Sequence, residues 1–269
     1  MKKRGSTSPA QIIIANARPV VIGHRGYSHI APENTLPSFE LALATGADLV
    51  ELDYHYTRDG VPVVIHDLEL DRTTDACQRW GRRHIRVATR TMAELALLDA
   101  GGWFDAKYAG TRLPQLSEAI ETIHQGSIPL IEHKAGRAPE MVRWLRERGW
   151  INRVIVQSFD WEYLRQFHER EPGQVLGALG PASRLPGGKK PFGISRRLNS
   201  RWLAQAAKAG VRAVVWNRQV SKRAVRLAHE QGLKVWVYTV DDARLARRLL
   251  DAGVDGIITN NPATPFSPP

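Results

Sequence analysis

Five polar residues in one short stretch set the chemical question. VELDYHYTRDGVPVVIHD, residues 50–67, carries Glu51, Asp53, His55, His66 and Asp67 inside what otherwise reads as two apolar strands joined by a turn. Carboxylates buried in such strands must be ion-paired, hydrogen-bonded or bound to a metal, because an unpaired buried charge is strongly unfavourable. A second acidic strand end occurs in IPLIEHK, residues 128–134. Side chains alternate along a strand. Glu51, Asp53 and His55 therefore share one face of the first strand, opposite Val50, Leu52 and Tyr54. In the second, Glu132 and Lys134 share a face with Leu130, opposite Ile131 and His133. Glu51, Asp53 and Glu132, with no thiolate among them, form a hard all-oxygen donor set suited to Mg2+ or Ca2+. An isolated E-x-D is more often a surface pair with Arg or Lys; two acidic strand ends in one chain favour the metal.

Two histidines accompany this set. His24-Arg25-Gly26 follows the apolar run PVVI, and His66-Asp67 closes the second arm of the 50–67 segment. Imidazoles exchange protons near neutral pH, and a guanidinium offers a fork suited to phosphate oxygens. Gly26 permits a sharp exit from the strand. One imidazole on each side of a phosphorus would serve as acid and base in an in-line displacement. A cation, helped by Lys134, would offset charge on the transferred group.

These residues need a scaffold that brings strand ends together. Eight strand-like runs (19–26, 47–54, 128–134, 153–159, 173–180, 212–217, 234–240 and 254–260) alternate with amphipathic stretches. That rhythm predicts an α/β chain built as a (β/α)8 TIM-type barrel, whose catalytic groups sit at the C-terminal ends of its strands. No G-x-G-x-x-G follows the first strand, which counts against a dinucleotide fold. VPVVIHD follows its predecessor too closely for a parallel crossover. Residues 50–67 are therefore expected to form a hairpin turning at Asp59-Gly60. From about 68 to 112 the rhythm breaks, which predicts an insertion that is partly helical around 91–98. The expected organisation is an N-terminal extension over 1–18 and a single catalytic domain over 19–269. The basic, Gly/Pro-rich stretch 181–197 is either a flap or a solvated loop.

The chain has 269 residues and a formal net charge of +11. That excess favours anionic partners. Arg and Lys are spread along the chain, so no nucleic-acid arm is indicated. Cys77 is the only cysteine, which excludes an intrachain disulfide and a thiolate cluster. The run QIIIA is too short for a signal-peptide core, and no stretch reaches the length of a membrane span. A cytoplasmic enzyme is expected.

GHRGYSHIAPENTLPSFELALATGADLVELDYHYTRDGVPVVIHDLELDRTT resembles the N-terminal signature of the glycerophosphodiester phosphodiesterase family, and the likeness continues through LDAGGWF, LPQLSEAI, LIEHK, VQSFD, VYTVDD and GVDGIITNNP. It covers about residues 19 to 262. The resemblance implies a barrel with a small insertion after the HD pair, acting on a small glycerophosphodiester with a divalent metal. By position, His24 and His66 correspond to the acid/base pair and Glu51, Asp53 and Glu132 to the metal ligands. Arg25 and Lys134 correspond to phosphate contacts. Trp103, on the insertion, and Tyr238 are expected to meet the substrate. Glu33 and Asn34, in the PENT turn, either contact ligand or shape the turn and the following helix. Two departures stand out: Asp241 replaces the Asn usual after VYTV, and His133 replaces an aliphatic residue. Asp241 is expected to change polarity near the substrate's alcohol.

The leading reading is metal-dependent hydrolysis of a glycerophosphodiester to an alcohol and sn-glycerol 3-phosphate. The alternatives are lysophospholipase D action at a membrane surface, suggested by the charge and by Trp103 and Phe104, and a phosphate-ligand binding protein without catalysis.

Overall fold

A computed structural model of the chain describes residues 8–263. Nine strands are present: β1 (Val20–Gly23), β2 (Leu49–Tyr56), β3 (Pro62–Val64), β4 (Ile128–His133), β5 (Ile155–Ser158), β6 (Leu176–Gly180), β7 (Ala213–Trp216), β8 (Lys234–Val237) and β9 (Gly256–Thr259). Their order is β1-β9-β8-β7-β6-β5-β4-β2-β3, and β1 also pairs with β2 in parallel. Eight strands alternating with helices and closing through β1 and β2 make the expected (β/α)8 barrel, with β3 added antiparallel to β2. Strands β2 and β5 to β9 are buried almost throughout. Such burial on both faces is what a parallel sheet flanked by helices demands of its Val/Ile-rich runs.

The chain divides into two compact units. Among the described residues, the first joins 8–20 with 137–238 and 247–257; the second joins 21–136, 239–246 and 258–263. In the first, Trp202 packs edge-on against Trp216 and Trp161, at 5.3 Å and 5.5 Å between ring centres. Helix α1 (Pro9–Ala15), closed by a Ser8–Gln11 capping box, occupies part of the expected extension and buries Ala10 and Ile14. The 181–197 stretch is tied down at its start, where Arg184 pairs with Asp160 and the Gly187 N–H donates to Glu162 Oε2 at 2.6 Å. Further on, Phe192 is 98% exposed.

In the second unit, β2 and β3 form the expected hairpin, with Tyr54 opposite Val64 and His55 opposite Val63. Its loop spans residues 57–61, so Asp59-Gly60 is the tip of a longer turn. The Gly60 N–H donates to Thr57 O, and the Thr57 N–H to Val61 O, both at 3.0 Å. Helix α2 (Leu36–Ala44) follows the PENT turn. The irregular region beyond the hairpin builds a core of its own from Val63, Ile65, Leu70, Ile85, Val87, Leu95 and Leu98, among others. Its helices are α3 (Ala76–Trp80) and α4 (Met92–Leu95), the latter closed by a Thr91–Glu94 capping box. Helix α4 lies in the region expected to be helical; α3 has no counterpart in the sequence reading. No helix among the described residues is long and apolar enough to cross a membrane.

Candidate active site

Apart from Tyr238, every residue singled out for chemistry lies in the second unit. Strand register accounts for the carboxylates. Asp53 on β2 stands directly opposite Glu132 on β4, and Glu51 precedes Asp53 by one full side-chain repeat on the same face. The three are 1%, 1% and 7% exposed. Each can offer an oxygen within 4.8 Å of the others'. Burial, reinforced by the neighbouring carboxylates, pushes Glu51 well above the usual carboxylate range and Glu132 to about 7. Asp53 goes the other way. Burial opposes ionisation, but Lys134, Arg25 and His66, together with the Asn34 amide, bring it down to about 2.

The Lys134 ammonium faces this cluster, 3.2 Å from Asp53 Oδ1 and in contact with Glu132 Oε1. Both oxygens are buried and make no other hydrogen bond. Three crowded carboxylates outnumber the two cationic groups beside them, Lys134 and Arg25, and fit a hard divalent cation, which would satisfy the oxygens and relieve their repulsion. Glu51, Asp53 and Glu132 are the residues that would hold it.

Arg25 follows β1 in the left-handed region, with φ 55°, and Gly26 continues the turn at φ 87°. A Cβ at Gly26 would run into Ser38, so the turn requires glycine there. This bend brings the Arg25 N–H to Glu51 Oε2 at 3.0 Å. The guanidinium donates to Glu33 Oε1 at 2.7 Å and lies 3.3 Å from Asp53 Oδ2.

The PENT turn resolves into two tasks. Asn34, at φ 59°, donates its amide to Asp53 Oδ2 at 2.9 Å and accepts the Asp53 N–H at 3.2 Å. Glu33 joins Arg25 to Arg72, whose Nη1 and Nη2 donate to its carboxylate at 2.9 and 2.8 Å. Neither side chain caps α2, which Thr35 precedes without a side-chain cap.

The histidines are held by unlike partners. His24 Nδ1 lies 2.7 Å from Asn260 Oδ1, and the His24 N–H donates to Thr259 O at 2.8 Å. An amide oxygen can only accept, so Nδ1 carries the hydrogen and Nε2 is left to take a proton. Burial, with the Arg25 charge alongside, pushes His24 down to about 4, so the ring is neutral at pH 7. His66 Nδ1 instead lies 2.6 Å from Asp67 Oδ1, and Arg72 Nε donates to the other Asp67 oxygen at 2.6 Å. His55, 6% exposed, directs Nε2 to the His66 carbonyl at 3.1 Å. That contact gives His55 a structural task that sequence alone left unassigned. Asp53 lies within electrostatic reach of both imidazoles: its charge raises the His24 pKa, and the charge of His66 lowers its own.

Residues 24–264 match the sequence model of the glycerophosphoryl diester phosphodiesterase family. The chain belongs to that family. A glycerophosphodiester phosphodiesterase of Caldanaerobacter subterraneus is 33% identical to this family member over 254 residues, covering 92% of this chain and 96% of its own. One from Bacillus subtilis is 30% identical over 93% of this chain and 86% of its own. Among solved structures, an Oleispira antarctica phosphodiesterase in complex with the product sn-glycerol-3-phosphate superposes with a TM-score of 0.78 at 29% identity, covering 92% of this chain and 95% of that one. The glycerophosphodiester phosphodiesterase of Agrobacterium tumefaciens gives 0.74 at 26% identity, with coverages of 92% and 98%.

Other expected residues of this phosphodiesterase-family chain are placed as follows. Trp103 is 41% exposed, donates Nε1–H to Ala100 O at 2.9 Å and packs edge-on against Phe104. Tyr238, in the first unit, commits its hydroxyl to Gly180 O at 2.8 Å and lines a cavity of about 490 Å3 with Phe159, Pro191, Ile194, Arg196 and Trp202. His133 stands beside Tyr54 and directs Nε2 to Gly136 O at 3.1 Å. Asp241 accepts hydrogen bonds from Thr259 Oγ1 and from both the backbone and the amide of Asn260. Both oxygens of its carboxylate are thus hydrogen-bonded within the protein. The sequence reading missed Asn260, Arg72 and Asn34's bonds to Asp53. The one available signal was that Asn34 sits in the PENT motif.

Proposed function

We propose that this chain hydrolyses glycerophosphodiesters to an alcohol and sn-glycerol 3-phosphate, using a divalent cation, Mg2+ or Ca2+, held by Glu51, Asp53 and Glu132. The observation that carries this reading is the pairing, within one unit, of a buried three-carboxylate cluster with two histidines whose Nδ1 atoms are both held. Family membership and the product named for the Oleispira relative support the substrate class. The bound cation supplies positive charge against the phosphoryl oxygens. Neutral His24 takes onto Nε2 a proton of the attacking water, whose oxygen bonds to phosphorus as the bond from phosphorus to the alcohol oxygen breaks. His66, oriented by Asp67, delivers a proton from Nε2 to the oxygen of the departing alcohol. Arg25 and Lys134 hold phosphate oxygens and keep their charge: although burial opposes it, nearby carboxylates raise both pKa values. A cytoplasmic setting accords with the single unpaired Cys77, which calls for no oxidising compartment.

The test is release of glycerol 3-phosphate from glycerophosphocholine under EDTA, Mg2+ or Ca2+. Activity should vanish in EDTA, and His24→Ala or His66→Ala should each lower kcat by ~10²-fold or more. Wild-type rates in both variants would sink the proposal.

A second reading, cleavage of single-chain lysophospholipids, is favoured by one surface feature. Trp103 and Ile30 are 41% and 38% exposed, and the Tyr108 hydroxyl donates to Ile30 O at 2.9 Å. Trp103 packs on Phe104, and Phe104 on Tyr108, so these three rings form one aromatic cluster with Trp103 at its exposed edge. Faster turnover of lysophosphatidylcholine than of glycerophosphocholine, lost in Trp103→Ala, would select this reading.

A further inference from the structure

The proton-accepting form of His24 depends on which way the Asn260 amide points. Asn260 Oδ1 faces His24 Nδ1 at 2.7 Å, and Asn260 Nδ2 donates to Asp241 Oδ2 at 2.7 Å. Asp241 Oδ1 accepts from the Asn260 N–H at 2.8 Å, a backbone donor that cannot turn away without rebuilding the loop, and from the Thr259 hydroxyl at 2.9 Å. A carboxylate only accepts. With one oxygen held in this way, the other can receive only the NH2 of Asn260, which turns the amide oxygen toward His24. The remaining neighbour, the Ser28 hydroxyl, lies 2.8 Å from His24 O and 2.9 Å from Asn260 Oδ1. Its single hydrogen can go to His24 O or to Asn260 Oδ1 but not to both, so alone it would favour an NH2 facing it, and the Asp241 carboxylate is what holds the amide oxygen there.

We propose that Asp241 is a positioning residue that sets the tautomer of His24 through the Asn260 amide, keeping Nδ1 protonated and Nε2 free to accept. The proposal rests on the reading of His24 as the base, but its physical content, the tautomer, is measurable without turnover.

Asp241→Asn supplies the sharpest test. Its amide oxygen must stay with the Thr259 hydroxyl and the Asn260 N–H, so its NH2 turns toward Asn260. Two facing NH2 groups are relieved only if the Asn260 amide flips. Its own NH2 then faces His24 Nδ1, which must become the acceptor, and the hydrogen moves to Nε2. The double exchange Asp241→Asn/Asn260→Asp restores complementarity, because the new carboxylate accepts both the position-241 NH2 and the His24 Nδ1–H.

The experiment is long-range 1H–15N correlation on 15N-histidine-labelled protein at pH 7.5 in Mg2+ buffer, with His24 assigned by its absence in His24→Ala. Wild type should show the Nδ1–H pattern, D241N the Nε2–H pattern, and D241N/N260D the Nδ1–H pattern again. In parallel, kcat should fall ~10-fold or more in D241N with KM within about 2-fold, and recover in the double variant. A wild-type tautomer in D241N, or no return in the double variant, overturns the proposal. These outcomes are read separately from the role of His24: full activity in His24→Ala would remove the base and leave the tautomer result standing.

Discussion

Asn34 and Asp53 bind each other twice. The Asn34 amide donates to Asp53 Oδ2 at 2.9 Å, and the Asp53 N–H donates back to Asn34 Oδ1 at 3.2 Å. This reciprocal pair joins the PENT turn to the strand that carries two of the three candidate metal ligands. It also engages one Asp53 oxygen, Oδ2, leaving Oδ1 as the one turned to Lys134. The left-handed φ of 59° suits Asn, which tolerates that region better than most residues.

The first prediction follows from that pair. Asn34→Gly keeps the backbone conformation and removes the side-chain bonds. Ligand-orienting partners of this kind are worth ~10–100-fold in metal affinity. Calorimetric titration of the variant with Mg2+ and Ca2+ should therefore show weakening of that order, with little change in its far-UV spectrum. Unchanged affinity would mean that the turn merely packs against Asp53.

The second concerns the site without its cation. Glu132 is raised to about 7 from an ordinary value of 4.5, by burial first and then by Asp53. In the window from 4.5 to 7 the folded state therefore holds a proton that the unfolded state has released. Stability from this group is fully present below 4.5 and is lost as pH rises through about 7. His24 runs the other way: lowered from 6.5 to about 4, it stays neutral when folded, and its contribution is lost as pH falls through that interval. The melting temperature of EDTA-treated protein should accordingly decline between pH 6.5 and 8. The decline should shrink in Glu132→Gln, and saturating Mg2+ should abolish it. A flat wild-type profile in EDTA would show that the carboxylate crowding does not persist in solution.

Much of this arrangement was legible from single stretches of sequence. Strand alternation put Glu51 with Asp53 and Glu132 with Lys134, and the short link after Tyr56 announced the hairpin that carries His66. Those inferences need only a period of two and a limit on crossover length. What stayed hidden depends on closure between distant segments. Asn260 meets His24 across 236 positions, and Arg72 meets Glu33 across 39. No local periodicity encodes such pairs. His55 was placed on the correct face, yet its partner is a backbone carbonyl, which leaves no mark on side-chain patterns. Helix α3 escaped because five residues are too few to establish a helical period.

The last prediction concerns Arg72, which grips two carboxylates at once. Its Nε donates to Asp67 Oδ2 at 2.6 Å, while Nη1 and Nη2 take both oxygens of Glu33. Asp67 in turn holds His66 Nδ1, and Glu33 holds Arg25. One guanidinium thus fixes the partners of the candidate acid and of a candidate phosphate contact. The Arg72 hydrogen bond is also the main reason Asp67 stays ionised down to about 2. A lysine has a charge but no planar fork, so it can satisfy one carboxylate well and the other poorly. Arg72→Met should lower kcat by ~10-fold or more, with Arg72→Lys falling between it and wild type. Arg72 is 44% exposed, so neither change should greatly disturb thermal stability. Steady-state kinetics beside melting curves separate the two effects: a large loss of stability with kcat preserved would make Arg72 a surface brace, whereas lost turnover in a stable protein would tie it to the orientation of His66 and Arg25.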